Sequence, residues 1–112
     1  MKIDVNRVKI IVSVPIDSID EVRNVLYDSG AGNIGNYTCC SMTSKCVGSF
    51  KPLNNSNPYI GEKGKVNFVE EERIEIVCDV DKVKNVIKRL RQIHPYEEPE
   101  IDIIPLIDEE LF

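Results

Sequence analysis

The sequence predicts a small α+β domain made of two split βαβ units, a ferredoxin-like βαββαβ sandwich with both helices on one face of an antiparallel sheet. Three observations predict it: apolar alternation near the N-terminus, amphipathic helical spacing directly after it and again past residue 80, and alternation resuming in between and near the end. The 112 residues and 12.7 kDa suit one domain over 1–112. At 42% hydrophobic and 29% charged, the chain can bury an ordinary core without metal or disulfide staples.

Residues 8–14 read V-K-I-I-V-S-V, so Val8, Ile10, Val12 and Val14 share one face of a strand that Pro15 ends. Ser18 has the chemistry of a helix N-cap, and Glu21 three residues later completes a capping box. Ile19, Val22, Val25 and Leu26 follow at helical spacing, and Gly30 is placed to close the helix in a left-handed conformation. Residues 35–50 carry only a weak strand signal. Were residues 37–46 a strand, Cys40 and Cys46 would share a face and Cys39 would take the other.

Residues 51–65 hold Pro52, Pro58, Gly61, Gly64 and the run Asn54, Asn55, Ser56, Asn57, the composition of an extended loop between the second and third strands. Loops this long inside a compact domain tend to be functional or to mediate contacts. Beyond it, Val66, Phe68, Ile74, Ile76 and Cys78 share one parity, interrupted by Glu70 and Glu72, so the strand's charged centre is expected to leave the sheet body. Asp81 is the expected cap of a second helix whose Val83, Val86, Ile87 and Leu90 form one apolar stripe, with Lys82, Lys84, Lys88, Arg89 and Arg91 on the other side. Pro95 stops it, and Ile101, Ile103 and Ile104 supply a last strand before an acidic tail.

Several functions are excluded or disfavoured. A net charge of -5 argues against nucleic-acid binding, whose affinity comes largely from neutralising phosphates. The apolar runs are far short of the roughly 20 residues of a bilayer span. The N-terminus lacks the apolar run of an export signal, so a reducing, cytoplasmic setting and free thiols are expected. One histidine excludes mechanisms built on a histidine pair. Residues 30–35 spell G-x-G-x-x-G but follow a helix and open a strand. The helix dipole is then wrongly placed for a dinucleotide, and a glycine-rich cap and turn is the better account.

Two segments carry chemistry. In Glu70-Glu71-Glu72-Arg73-Ile74-Glu75, Glu70 and Glu72 face one way on a strand and Glu71, Arg73 and Glu75 the other. Such a cluster suits a hard cation, basic groups of another subunit, or a solvated face that blocks edge pairing. In His94-Pro95-Tyr96-Glu97-Glu98-Pro99-Glu100, two prolines fix a loop presenting an imidazole, a phenol and carboxylates. It reads equally as a metal or acid–base site and as a rigid helix-to-strand connector.

At this segment the chain resembles a known group. H-P-Y-E-E-P-E-I-D-I-I-P-L is similar to the corresponding run of the CutA proteins, small trimeric PII-like proteins linked to divalent-cation tolerance. A-G-N-I-G-N-Y-x-x-C at residues 31–40, G-S-F-K-P at 48–52, N-P-Y-I-G-x-x-G at 57–64 and E-E-R-I-E at 71–75 resemble the CutA/PII-like domain inserted in bacterial NGG-interacting-factor proteins. The likeness spans about residues 8–106 and marks the chain as resembling a stand-alone version of that insert. It implies the ferredoxin-like fold and a homotrimer, and it implies no enzyme activity, because the two-metal centre of the parent proteins lies in a flanking domain absent from this sequence. By position, Gly35, Asn36 and Tyr37 match the insert's glycine turn, Phe50, Pro52, Asn57, Pro58 and Gly61 its long loop, and His94, Tyr96 and Glu97 its H-P-Y-E motif.

The expected function is therefore a non-catalytic trimeric sensor or binding module with an inter-subunit cleft. Its ligand would be a divalent metal cation held by His94 with Glu97 or Glu72, or a small anionic metabolite, with Gly35, Asn36, Tyr37, Phe50, Pro52, Asn57 and Tyr96 as the ligand-binding residues. The alternative is a structural adaptor that binds another protein through charge-complementary surfaces. No catalytic residues are assigned, since no serine or cysteine motif accompanies His94.

Overall fold

The computed structural model describes residues 2–112. Strand β1 (Arg7–Pro15) leads through a 3-10 turn (Ile16–Ser18) into helix α1 (Ile19–Ser29), followed by β2 (Met42–Phe50), β3 (Asn67–Asp79), helix α2 (Val80–Ile93) and β4 (Ile101–Leu106). The four strands form one antiparallel sheet in the order β2-β3-β1-β4, the ferredoxin-like arrangement.

Alternation decides which face is buried. Val8, Ile10, Val12 and Val14 of β1 and Ile74, Ile76 and Cys78 of β3 point to one side and pack with Ile19, Val22 and Leu26 of α1 and Val86 and Leu90 of α2 into a single core cluster. The facing register Val12–Ile74 and Ile10–Ile76 brings these side chains together. Gly30 closes α1 at φ 115°, ψ 6°, its N–H reaching back to the Leu26 and Tyr27 carbonyls.

Helix α1 starts where expected, directly after Ser18, but without the expected capping bond, and α2 starts two residues earlier than expected. Ser18 has φ -103° and ψ 0°, not the extended backbone of an N-cap, and its side chain makes no capping bond, because the 3-10 turn already feeds the helix. Helix α2 begins at Val80 after an extended Asp79, so Asp81 lies inside the first turn, where its charge faces the positive end of the helix dipole. At the other end, His94 precedes Pro95. That position disfavours helical backbone, and His94 adopts φ -63°, ψ 131°.

The middle of the chain is also shifted. Strand β2 starts only at Met42. Residues 30–41 turn instead, with Ile34 bridging Tyr37 and Cys39 at φ 57°, so Cys39 and Cys40 lie outside the strand. Cys39 is exposed, Cys40 and Cys46 half-buried and Cys78 buried, all as free thiols. Strand β3 runs 13 residues, and its first half, with β2, extends past the helices, leaving Phe68 72% and Val47 67% exposed. The 51–66 loop has no helix or strand but is tied down: Gly64 N–H donates to Pro52 O (2.9 Å), and the Asn67 side chain bonds Glu62 N–H and its carbonyl.

Candidate functional site

The helix-free face of the sheet carries the odd positions of β3. Glu71 stands there between Cys46 of β2 and Pro15 of β1, and Arg73 between Ser44 and Ser13. A charged side chain on an open face is expected in solvent, yet Glu71 is 7% exposed. Two neighbours cover it. The Tyr96 hydroxyl donates to Glu71 Oε2 at 2.6 Å. On the other side, the carboxylate lies across Gly48, where an added Cβ would collide with Oε1. Gly48 is therefore the one position of β2 whose lack of a side chain makes room for the acid.

His94 is 6% exposed and uses both ring nitrogens. Nδ1 accepts from the Tyr96 backbone N–H at 3.1 Å, which leaves Nε2 as the protonated nitrogen donating to the Ser13 carbonyl at 2.9 Å. Burial pushes its pKa below the ordinary histidine value, against the opposing pull of the Ser13 carbonyl and Glu71. The His94 ring lies 4.9 Å from Tyr96, whose ring is in turn 6.4 Å from Tyr59 of the long loop. Burial, then the Glu71 carboxylate, push the Tyr96 phenol well above its ordinary pKa.

Glu71, Tyr59 and Tyr96, but not His94, border a cleft of about 820 Å³ between the open sheet face and the long loop, within the size range of small-molecule sites. Phe50, Pro52, Pro58, Tyr96 and Glu97, five of the positions matched to the family in the sequence, line it. Asn57 sits at its edge and ties loop to connector, its backbone N–H donating to Glu97 Oε2 at 2.9 Å. Gly35, Asn36 and Tyr37 do not line it. They form the exposed turn after α1, with Tyr37 77% exposed.

The expected metal set of His94, Glu97 and Glu72 does not assemble within the chain. Glu72 has the opposite parity from Glu71 and lies on the helix side, 3.8 Å from Arg23 of α1. The lone pair of His94 Nδ1 is already engaged, and Glu97 holds the loop. Among the described residues no three His, Cys, Asp or Glu side chains converge to hold a metal ion. Sequence reading named Glu71 in the Glu70–Glu75 cluster, and Gly48 and Tyr59 within the family-like motifs, but assigned none of the three to the site. The odd parity of Glu71 within a strand that buries its even positions was a further signal.

A four-stranded 4-1-3-2 sheet with two helices on one face and the His94–Glu97 connector over the other makes this a ferredoxin-like domain with a cleft on its open face. No protein-family model matches the chain. It is 44% identical over 101 residues to the GTP cyclohydrolase 1 type 2 homolog of Halalkalibacterium halodurans, covering 90% of this chain and 27% of that protein. A Bacillus cereus protein related to NIF3 superimposes with a TM-score of 0.80 at 38% identity, over 93% of this chain and 26% of the other. The periplasmic divalent cation tolerance protein CutA of Archaeoglobus fulgidus shares the fold over 94% of this chain and 90% of its own, with a TM-score of 0.67 at 16% identity. The chain is thus a CutA/PII-like domain of the kind found in NIF3-related proteins, and it spans about a quarter of the length of the curated relatives it matches. No helix among the described residues is long and apolar enough to cross a membrane.

Proposed function

We infer that this domain is a non-catalytic binding module that takes a small ligand in the cleft over Glu71 and works as a homotrimer. The observation that carries this reading is the buried Glu71–Tyr96 pair at the wall of a cleft large enough for a metabolite. The state of His94 favours binding over catalysis, since a neutral imidazole with both nitrogens engaged must break a bond before it can move a proton. The same occupancy favours a metabolite over a divalent cation at His94. The name of the A. fulgidus neighbour concerns divalent cations, and metals therefore belong in the test.

The trimer reading is supported by apolar side chains on the projecting β2–β3 ribbon, Val47 and Phe68, and by β2 and β4 as the two edges of the sheet. Light scattering should give roughly three times 12.7 kDa, and Phe68→Glu should lower it. A cytoplasmic setting suits the four free thiols.

A thermal-shift panel of divalent metals, nucleotides and small metabolites, with Tyr96→Phe run in parallel, tests the binding reading. A ligand at 100 times its dissociation constant adds about 2.7 kcal/mol. A raised midpoint for one ligand class, reduced in Tyr96→Phe, supports the module. No shift from any compound favours the adaptor, in which the same exposed apolar ribbon meets another protein.

A further inference from the structure

The chemistry of the cleft narrows what it takes, and the inference that follows rests on the binding-module reading above. Glu71 is buried, yet among the described residues its only hydrogen-bond donor is the neutral Tyr96 phenol, and no ion pair includes it. Arg73, which lines the same cleft, pairs with Glu75 at 3.6 Å and not with Glu71. The second carboxylate oxygen, Oε1, receives no hydrogen bond from the described residues. It is not sealed in either, because no fully buried side-chain oxygen or nitrogen among them lacks a partner. Oε1 lies against Gly48, and Glu71 and Gly48 both line the cleft, which is where a ligand can reach it.

A desolvated carboxylate held by one neutral donor is an incomplete arrangement, and a cation completes it. Inner-sphere metal binding needs several converging ligands, which these residues do not supply. A nitrogen cation needs less: N–H groups for one carboxylate oxygen, and aromatic surface for its carbon frame. Tyr59 and Tyr96, with centroids 6.4 Å apart and rings tilted by 51°, provide that surface beside Glu71.

The geometry points to a small organic cation as the ligand, a primary ammonium or guanidinium group on an apolar body, with its nitrogen on Glu71 Oε1 and its body against Tyr59 and Tyr96.

The test is an amide NMR titration of the 112-residue chain with three probes of one shape and different charge: benzylamine, benzyl alcohol and benzoate. Benzylamine is expected to shift the amides of Gly48, Glu71 and Tyr96 and to bind about ten-fold more tightly than the other two, a difference of about 1.4 kcal/mol. Glu71→Gln, which keeps an oxygen for the Tyr96 hydroxyl, should abolish that preference. Tyr59→Leu, a change at an exposed ring, should weaken benzylamine without disturbing the core and serves if Glu71→Gln does not fold. Benzoate or benzyl alcohol binding at these amides as tightly as benzylamine would overturn the cation assignment and leave the binding cleft standing. An unchanged preference in Glu71→Gln overturns it too. No shift at these amides from any probe overturns the cation and the cleft together.

Discussion

The Tyr96 hydroxyl and the Glu71 carboxylate meet at 2.6 Å across 25 residues of chain, joining the connector after α2 to the open face of β3. The bond fixes one oxygen of a buried acid and presents the other. It also places the phenol in contact with a negative charge, and with burial this holds its proton on.

Tyr96→Phe should therefore lower stability by about 1.5–3 kcal/mol, the range for a hydrogen bond to a charged group, read as a lower urea midpoint at neutral pH. Because the folded-state phenol is pushed above its unfolded value of about 10, the wild-type advantage is full below that pH and declines as pH rises through and beyond it. The two unfolding midpoints should converge in that alkaline range.

Gly48→Ala should displace the Glu71 carboxylate, since the new methyl group and Oε1 cannot occupy the same space. The acid is the flexible end of a side chain, so the expected cost is at the low end of overpacking, about 1 kcal/mol. Binding in the cleft should suffer more than folding. Midpoints from urea unfolding, beside a ligand titration, separate the two effects.

Acid should weaken the fold through His94. A second proton, on Nδ1, would point at the Tyr96 backbone N–H that this nitrogen now accepts from. With the folded pKa depressed, the unfolded chain binds more protons below about 6.5, so stability is full above that value and is lost as pH falls below it. His94 is the sole histidine of the chain. The loss between pH 7 and pH 5.5 should disappear in His94→Asn, measured by unfolding at both values.

Glu97→Ala should release the long loop from the connector by removing the acceptor of the Asn57 N–H. Hydrogen exchange at Asn57 should accelerate while the amides of Ile10 and Ile76, deep in the sheet, keep their protection. Uniform acceleration would mean that the contact holds the whole fold.

What could be read from the sequence follows from where burial writes a pattern. Val8 to Val14 and Ile74 to Cys78 alternate because one face of each strand is sealed, and Val83, Val86, Ile87 and Leu90 repeat because one side of α2 meets the sheet. Strand β2 is an edge with mostly exposed residues, so Met42 to Phe50 leaves almost no hydrophobic signature. Ser18 has the right cap chemistry but the wrong backbone, which composition does not reveal. At the site, Phe50, Pro52, Asn57, Tyr96 and Glu97 stood out through loop chemistry and family likeness, whereas the Gly35–Asn36–Tyr37 turn lies apart from the cleft. The burial of Glu71 was hidden because its cover comes from Gly48 and Tyr96, distant in sequence and joined to it only by the folded sheet.

Strand β3 carries core and cleft on alternate residues, Ile74 and Ile76 inward and Glu71 and Arg73 outward. The isoleucines are locked by burial, so the side on which the acid emerges depends on the count of residues between them. Adding or deleting one residue between Glu71 and Ile74 would send the carboxylate to the helix side while every hydrophobic contact below it survived. Anyone transplanting this cleft to another sheet would have to copy that spacing first, and only then the residues that fill it.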